Sequence, residues 1–362
     1  MIVFCHLLND RSGSPTVLRS TIEALGTHDK ALLFIGSQGR GVLEGANVMT
    51  RRYWYRRSRF QIVTLFNYLL SQVLLYWALS RSRDIPHDAT VFVNTLLPFA
   101  AMLWGRRTKR TVVVHIHEVS ISPAPLRRLL TRFAASCADH LIYVSEDHLD
   151  RLPIYGPPAE VVSNPISPTL IKKSKSVQYV PRRTGAFEVV MLASLRSYKG
   201  IEEFMALAYE LRLHDDISFT LVLNAKFEEV CAFKCRWAFV DNVSLHPRTN
   251  DPSLFYANAD LVLNLSRQNE WIETFGLTIV EAMAFGVPVI VPTVGGPKEI
   301  VSHGIEGYCI DSYDSAALKI AILELAHNPN TAIAMSKAAR ARSREFSFDA
   351  YVGKLLRILT EL

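Results

Sequence analysis

The chain alternates short runs of β-branched and aliphatic residues with longer segments in which apolar residues recur at helical spacing. This alternation predicts βαβ units built on parallel sheets. In the first half, a helix is predicted at 16–25 and strands at 2–8, 31–35, 90–93, 112–115 and 140–144. The second half restarts the pattern, with a helix at 201–213 and strands at 187–192, 218–223, 243–245, 261–263, 287–291 and 307–310. The predicted fold class is therefore α/β, with two doubly wound, Rossmann-like domains in tandem.

The length and the composition agree with two domains. A chain of 362 residues, of which 49% are hydrophobic and 20% charged, is globular and too long for one ordinary core. The first domain is predicted at residues 1–166 and the second at 186–345. Between them, residues 167–185 are rich in Lys, Arg and Pro, with few large apolar side chains after Ile171, which is typical of a solvated linker.

Basic residues concentrate in the first half of the chain. Residues 1–170 contain 19 Lys and Arg against 12 Asp and Glu, a net of +7, whereas residues 171–362 carry 21 and 22, a net of −1. This asymmetry favours an anionic partner for the first half: a membrane surface, a phosphorylated lipid or a nucleic acid.

The cysteines and the N-terminus indicate in which cellular compartment the protein is expected. Five scattered cysteines do not predict a disulfide framework and favour a reducing environment. Cys231 and Cys235 are spaced like two metal ligands, but no second pair follows, so two thiols on one face of a helix are the alternative. The N-terminus enters an apolar run without a basic region or a cleavage site, and is predicted to be a strand and not a secretory signal.

A basic and aromatic segment precedes a long apolar helix in the first half. Five arginines fall between Arg51 and Arg59, interleaved with three aromatic residues. The helix predicted at 61–79 is close to the ~20 residues that span a bilayer. Three interpretations remain open: a helix buried in the core of its own domain, an interfacial element with arginines on lipid phosphates, and a transmembrane span.

Two carboxylates separated by seven residues mark the most informative segment of the second half. Between Glu273 and Glu281 lies Gly276, and a helix is predicted at 276–285. A helix N-terminus favours an anion, and glycine allows a ligand to approach the backbone closely. Helical spacing over both acids would place them on nearly the same face. The spacing alone fits an anion site whose carboxylates accept from sugar hydroxyls, or an amphipathic helix with two exposed acids.

Other polar residues follow predicted strands. Arg196 and Lys199 come after a strand, at the edge where open α/β sheets bind ligands, and would neutralise an anionic ligand; a solvated basic turn is the alternative. His115 and His117 end another strand, but no third metal ligand stands near them. Gly13 links the first strand to the first helix, where a tight turn is a sufficient explanation.

The segment around Glu273 and Glu281 resembles the E-x7-E motif of glycosyltransferase family 4, whose members have the GT-B fold of two Rossmann-like domains facing a cleft. The similar stretches are Phe275-Gly276-Leu277, Glu281-Ala-Met-Ala, Gly286-Val-Pro288-Val-Ile, Val294-Gly295-Gly296 and Gly304-Ile-Glu306-Gly307. The resemblance implies that Glu281 binds the donor ribose and that Glu273 contacts sugar hydroxyls near the reacting carbon. It also implies that backbone amides around Phe275, Gly276 and Leu277 hold the sugar and the diphosphate.

The same resemblance assigns roles elsewhere in the chain. Lys199 matches the lysine of the family's diphosphate clamp, but Ser194 occupies the usual arginine position, so Arg196 would act from a shifted place. Ser12-Gly13-Ser14-Pro15 is similar to the glycine loop that faces the donor phosphates and the acceptor, with one glycine where two are common. His117 would stand beside the transferred sugar.

The ends of the two domains also resemble the family. Asn164-Pro165 matches an Asn-containing turn before the interdomain linker, and residues 346–362 resemble the helix that crosses back onto the N-terminal domain in GT-B enzymes. The sequence contains no Asp-x-Asp metal motif, which fits the metal-independent type.

The resemblance thus implies a retaining, hexosyltransferase-type enzyme that moves a sugar from a nucleotide diphosphate donor to a hydroxyl of a glycan or lipid-linked acceptor. We expect no metal or other cofactor and no nucleic-acid partner. The second domain would bind the donor and the basic first domain the acceptor, in surface polysaccharide or lipopolysaccharide synthesis. The expected location is cytoplasmic, with contact to an anionic membrane surface through Arg51–Arg59. Another GT-B enzyme, such as a nucleotide-sugar epimerase, and a non-catalytic sugar-nucleotide-binding scaffold remain alternatives.

Overall fold

The computed structural model describes residues 1–26, 30–39, 41–183 and 185–362. The chain divides into two compact units. The first consists of Met1–Pro165 together with Phe348–Leu362, and the second of Ile166–Ser347. Each unit is built on its own parallel sheet, which confirms the predicted α/β class with two doubly wound domains.

The strands of the first unit are β1 (Ile2–His6), β2 (Ala31–Gly36), β3 (Met49–Tyr53), β4 (Thr90–Asn94), β5 (Val112–His115), β6 (His140–Tyr143) and β7 (Ala159–Val161). In the described part of this unit they form one sheet in the order β3-β2-β1-β4-β5-β6-β7, and every pairing is parallel. The central strands are buried on both faces, which explains their continuous apolar composition.

Helices cover both faces of this sheet. They are α1 (Gly13–Leu25), α2 (Gln61–Arg81), α3 (Phe99–Arg107), α4 (Ala124–Cys137) and α5 (Glu146–Arg151). Helix α3 packs against α2 on one side and α4 on the other. Leu75, Trp104 and Leu130, one from each of these three helices, join the main hydrophobic core of the unit.

The second unit repeats this design. Its strands are β8 (Phe187–Ala193), β9 (Ile217–Leu223), β10 (Val243–His246), β11 (Leu261–Leu263), β12 (Val289–Val291) and β13 (Gly307–Cys309). Within the described residues they pair in the order β10-β9-β8-β11-β12-β13. The helices are α6 (Pro168–Ser174), α7 (Ile201–Glu210), α8 (Phe227–Arg236), α9 (Ser253–Asn258), α10 (Leu277–Ala284), α11 (Gly296–Ile300), α12 (Ser315–His327) and α13 (Pro329–Ser343). Phe187, Phe204 and Phe219 lie at the centre of the core.

A final helix, α14 (Phe348–Thr360), belongs to the first unit and packs against α1. Its buried face carries Tyr351, Leu355 and Ile358. The Tyr351 hydroxyl lies 2.6 Å from Thr21 Oγ1, a buried hydrogen bond between helices that are 330 residues apart in the chain. The last segment of the sequence therefore completes the unit that the first segment begins.

Residues 167–185 are not the solvated linker that their composition predicts. They contain α6 and belong to the second unit. Arg340 on α13 donates to the Ser174 main-chain oxygen at 3.2 Å, and Arg182 donates to Asp216 at 2.7 Å. The polar side chains of this segment fasten it to the unit, which corrects the prediction.

Two short strands were not predicted from the sequence. Strand β3 reads Met-Thr-Arg-Arg-Tyr and β7 reads Ala-Glu-Val, and both lie at the edges of the first sheet. An edge strand needs only one paired side and tolerates polar residues, so it lacks the apolar run that reveals a central strand. Consequently, Arg51 and Arg52 lie within a sheet and not in a loop.

Helix α2 is apolar along most of its length, and only one of its faces is buried. Its inner face consists of Tyr68, Ser71, Gln72, Leu75 and Leu79. By length and composition it is the one helix in the described residues that could cross a membrane, yet only 28% of its most apolar window is buried inside the unit. The interpretation as an ordinary core helix is therefore wrong, because most of its apolar side chains do not enter the core.

Candidate active site

The carboxyl edge of the second sheet brings three loops together. After β8, a turn at Ser197–Lys199 leads to Gly200, whose φ of 75° lies in the left-handed region. A Cβ at Gly200 would stand 2.0 Å from the main-chain oxygen of Leu265, so glycine lets the two loops touch. The Arg267 N–H also donates to the Tyr198 main-chain oxygen at 2.8 Å. The loops after β8 and β11 are thus held side by side.

This contact places Lys199 against Glu273. The Lys199 ammonium donates to Glu273 Oε2, and both side chains are about one-fifth exposed. Ser266 Oγ donates to the same carboxylate oxygen at 3.3 Å. Trp271 stacks on Tyr198 with ring centroids 5.0 Å apart, and the ammonium lies 5.6 Å from the Trp271 ring centroid. A fixed cation and a fixed carboxylate therefore share one partly open site.

Gly295 and Gly296 pack closely against the backbone of Glu273 and Thr274. The Gly296 N–H donates to the Glu273 main-chain oxygen at 3.0 Å. A Cβ at Gly296 would lie 2.2 Å from the Thr274 main-chain oxygen, and one at Gly295 would lie 2.5 Å from that of Glu273. The loop after β12 therefore fits against the segment before α10 only because both positions lack side chains.

Helix α10 begins directly after Gly276, which has a φ of 100° and acts as the N-cap. Phe275 is buried, with its ring centroid 5.6 Å from that of Phe346, whereas Leu277 is half-buried in the first turn. Free main-chain N–H groups and the helix dipole make this terminus favourable for an anion. Glu273 lies before the helix, so the prediction that the two acids share one helical face is wrong.

Glu281 occupies a separate environment inside α10. The Tyr256 hydroxyl, itself buried, donates to Glu281 Oε2 at 2.8 Å. Burial raises the pKa of Glu281 to about 7, and the hydrogen bond from Tyr256 opposes that rise. Oε1 remains available to accept a hydrogen bond from a hydroxyl, which a carboxylate does better than a carboxylic acid.

The resemblance assigns the donor ribose to Glu281; on that assignment, the affinity for a nucleoside diphosphate should increase about tenfold as the pH is raised through 7, because protonation below that pH removes the carboxylate acceptor. Isothermal titration calorimetry with each of the common nucleoside diphosphates at several pH values measures this. Glu281→Gln is the control for titration of the nucleotide phosphate, and it should lose the protein's part of the dependence. Tyr256→Phe should move the midpoint to higher pH. Identical profiles for the parent chain and Glu281→Gln would contradict the expectation.

Arg196, unlike Lys199, is not held by an ion pair with another described residue. It lies at the start of the turn before Lys199 and is exposed, and among the described residues its side chain has no ion-pair partner within 4.0 Å. The side chains of Tyr256, Ser266 and Trp271 were not predicted. Nothing in their local sequence separates them from ordinary core or loop residues, and only the loop contacts reveal them.

The first unit has a polar cluster at the corresponding edge of its own sheet. His117 Nε2 lies 3.0 Å from Asn94 Oδ1, so this nitrogen carries the proton and Nδ1 is the free acceptor. Asn94 Nδ2 donates to the Ser14 main-chain oxygen at 3.2 Å and lies 3.1 Å from His6 Nδ1. Gly13 begins α1 next to Ser14 and is exposed. The structure thus joins His117 to the Gly13 loop through Asn94, which was not predicted.

The imidazoles of this cluster are neutral near pH 7. Burial lowers the pKa of His117 well below its usual value, and the neighbouring His115, His148 and His6 lower it further. Burial likewise lowers the pKa of His115 to about 3 and that of His148 to about 4. The Glu118 carboxylate accepts from the main-chain N–H of Leu96 at 3.1 Å. His117 can therefore accept or donate a hydrogen bond, but it does not supply a positive charge.

The candidate metal ligands do not form a cluster. Cys231 and Cys235 are exposed on α8. In the part of the chain that the structure describes, no three His, Cys, Asp or Glu side chains are grouped closely enough to hold a metal ion. Their placement on one helix is compatible with both predicted interpretations.

Two parallel α/β units in one chain, each with polar loops at the carboxyl edge of its sheet, define the class of two-domain GT-B proteins. Residues 13–165 match the model of the glycosyl transferase 4-like domain, and residues 173–342 match that of the glycosyl transferases group 1. Together the two matches cover most of the chain, so the protein belongs to the GT-B glycosyltransferases of family 4.

Individual relatives match parts of the sequence. A D-inositol 3-phosphate glycosyltransferase from Thermobispora bispora is 32% identical over 123 residues, which is 33% of this chain and 28% of the relative. A protein of the same description from Pseudarthrobacter chlorophenolicus is 26% identical over 225 residues, 60% of this chain and 51% of the relative. A sucrose synthase from Oryza sativa is 38% identical over 94 residues, 25% of this chain and 12% of the relative. The matched stretches span about half or less of these relatives.

Solved structures match the whole chain. The Anabaena protein HepE, crystallised with UDP-glucose, has a TM-score of 0.79 and 20% identity, covering 100% of this chain and 99% of HepE. Sucrose-phosphate synthase from Thermosynechococcus elongatus has a TM-score of 0.74 and 18% identity, covering 99% of each chain. At these identities the similarity establishes the fold.

Proposed function

We propose that this glycosyltransferase transfers a hexosyl group, with retention of anomeric configuration, from a nucleotide diphosphate donor to a hydroxyl of a glycan or lipid-linked acceptor. The observation that carries the proposal is the pairing of Lys199 with Glu273 beside the N-terminus of α10. The cation and the carboxylate are in contact, and Glu273 shortly precedes the free main-chain N–H groups of the helix, at the sheet edge where α/β folds bind ligands. The acceptor class, in surface polysaccharide or lipopolysaccharide synthesis, and the cytoplasmic location are parts of the proposal.

Each group has a role in this proposal. The Lys199 ammonium and the N–H groups after Gly276 stabilise negative charge on the departing diphosphate. The Glu273 carboxylate accepts hydrogen bonds from sugar hydroxyls, and its ion pair with Lys199 fixes its position. Glu281, oriented by Tyr256, accepts from the ribose hydroxyls. Arg196 adds a second cation near the diphosphate.

The anomeric configuration is retained when the acceptor attacks the same face of the sugar from which the diphosphate leaves. The C–O bond between the anomeric carbon and the diphosphate breaks, and the acceptor oxygen bonds to the same face of the sugar. The acceptor proton passes to a diphosphate oxygen as the diphosphate leaves. By resemblance to the family, the proposal also assigns the neutral imidazole of His117, which hydrogen bonds Asn94, to a hydroxyl of the transferred sugar, and Gly13 to the donor phosphates. No metal or other cofactor takes part in this proposal, and assays with and without EDTA test that point.

A uridine nucleotide is the first donor to test. Among the similar solved structures, the Anabaena protein binds UDP and glucose, and an E. coli protein binds UDP-2-fluoro glucose. A thermal-stabilisation screen over uridine, guanosine, adenosine, cytidine and thymidine diphosphate sugars identifies the donor, since a ligand that binds the native state raises the melting temperature. Transfer of labelled sugar, as opposed to isomerisation of the donor alone, separates a transferase from an epimerase.

Glu273→Ala should then reduce sugar transfer roughly 100-fold, because the sugar loses a charged hydrogen-bond acceptor and Lys199 loses its partner. Labelled-sugar transfer is measured with the donor found in the screen. Glu210→Ala removes an acid from an exposed ion pair with Lys319 in the same unit and should leave transfer unchanged. Unchanged transfer in Glu273→Ala would refute the assigned role. Donor binding without any transfer by the parent chain would favour a non-catalytic scaffold.

A further inference from the structure

The outer face of α2 presents a continuous apolar stripe to solvent. Ile62 is 85% exposed, Phe66 and Val73 are each 66% exposed, and Trp77 is 53% exposed. These positions follow helical spacing and therefore lie on one side of the helix. The same face also carries Val63, Leu69 and Leu70, and Phe60 precedes it. Contiguous large apolar side chains on a surface mark a site of interaction.

The orientation of α2 is fixed by its other face. The Tyr68 hydroxyl donates to the Leu97 main-chain oxygen at 2.7 Å, and Gln72 Oε1 accepts from the Ala100 N–H at 3.4 Å. Leu75 and Leu79 are fully buried in the core. Turning the stripe inward would break these contacts, so its exposure is a property of the fold. Spanning a bilayer would break the same contacts.

Arginines stand at both ends of the stripe. Arg56, Arg57 and Arg59 precede the helix, and Arg81 and Arg83 end it, whereas no charged residue lies between 61 and 80. The Arg81 guanidinium lies 3.8 Å from the centroid of the Trp77 ring, and that of Arg59 lies 4.9 Å from the Phe60 ring. The cations are therefore held at the level of the apolar side chains.

The structure separates these arginines from the other two of the basic segment. Arg51 is paired with Asp84 at 2.7 Å, and Arg52 donates to Glu44 at 2.5 Å. Among the described residues, no acidic side chain lies within 4.0 Å of the guanidinium groups of Arg56, Arg57 or Arg59. Within the segment Arg51–Arg59, the arginines available to an anionic surface are therefore Arg56, Arg57 and Arg59.

We propose that α2 and its flanking arginines dock the first unit on an anionic bilayer surface. The helix lies in the plane of the interface, with its apolar stripe at the boundary of headgroups and acyl chains and the guanidinium groups on lipid phosphates. The apolar stripe matches the acyl chains of a bilayer, and the cationic ends match its anionic headgroups. A second copy of the chain fits less well, because parallel or antiparallel pairing of two such helices would bring like charges together at both ends.

Sedimentation with sucrose-loaded vesicles tests this proposal without donor or acceptor, so the result is independent of transferase activity. We expect the full chain to bind vesicles of phosphatidylcholine with phosphatidylglycerol, to bind phosphatidylcholine alone weakly, and to dissociate as salt is raised. Arg56→Gln, Arg57→Gln and Arg59→Gln together should weaken binding to anionic vesicles about 100-fold. Phe66→Ser, Val73→Ser and Trp77→Ser together should weaken binding to anionic vesicles by a similar factor.

The matched control removes three exposed cations from the second unit: Arg212→Gln, Lys234→Gln and Arg236→Gln. It changes net charge equally and should leave vesicle binding close to that of the parent chain. Circular dichroism and donor-induced thermal stabilisation establish that each variant is folded. Equal binding to neutral and anionic vesicles, or equal losses in the control and the α2 arginine variant, would overturn the proposal. A concentration-dependent dimer that disappears in the serine variant would assign the stripe to a second copy instead.

Discussion

Replacing Lys199 with alanine is expected to lower kcat for sugar transfer roughly 100- to 1000-fold, with a smaller change in the KM for the donor. The negative charge of the diphosphate grows at the bridging oxygen as the bond to the sugar breaks. A fixed cation therefore stabilises the transition state more than the bound donor. Glu273 and the turn before Gly200 hold the Lys199 side chain in place.

Steady-state kinetics with the donor from the screen measure the effect. Lys199→Arg keeps the charge in a different shape and should recover part of the rate. Lys319→Ala removes a lysine from an exposed ion pair with Glu210, so it controls for loss of a cation in the same unit. Combining Lys199→Ala with Glu273→Ala should cost less than the product of the single losses, because the two residues act on one reacting centre. A kcat near that of the parent enzyme would exclude Lys199 from the chemistry.

Gly296→Ala is expected to reduce transfer about 100-fold although residue 296 has no side chain to contact a ligand. The added methyl group would lie 2.2 Å from the Thr274 main-chain oxygen and 2.7 Å from the Phe275 Cα. Neither atom belongs to a flexible side chain, so the segment that carries Glu273 must move. Overpacking of this kind costs about 1–3 kcal/mol of stability.

The measurement combines kcat/KM with the thermal midpoint of unfolding. Gly353→Ala is the matched control, because a Cβ there meets no atom within 4 Å and the residue lies inside α14. Alanine is the better helix former, so the control should be fully active and equally or more stable. Full activity of Gly296→Ala would show that the position of Glu273 tolerates displacement.

The sequence predicted the two sheets because central parallel strands are continuous apolar runs. It did not predict β3 and β7, since an edge strand with Arg51 and Arg52 or with Glu160 has no such run. Composition also misassigned residues 167–185, because Arg182 and Lys173 there bind acids of the second unit and are not merely solvated. Contacts between residues far apart in the chain decide such cases.

The candidate site divides in the same way. Glu273, Glu281 and Lys199 were found because their motifs are local and resemble a known family. Tyr256 and Asn94 were not, because each acts through a side chain that the fold brings from another strand or helix. The exposure of α2 could not be predicted either, because an apolar helix of this length has the same composition whether it faces the core or a lipid phase.

The packing of α14 against α1 has a consequence for biosynthesis. Ribosomes make the chain from its N-terminus, so the residues of the second unit are synthesised before the helix that covers α1. Until then Thr21 lacks its Tyr351 partner and the apolar side chains that meet Leu355 and Ile358 remain uncovered. One face of the nascent first unit therefore stays incomplete while the ribosome makes the roughly 180 residues of the second unit. Packing of α14 against α1 can complete that face only after the residues of the second unit have been made.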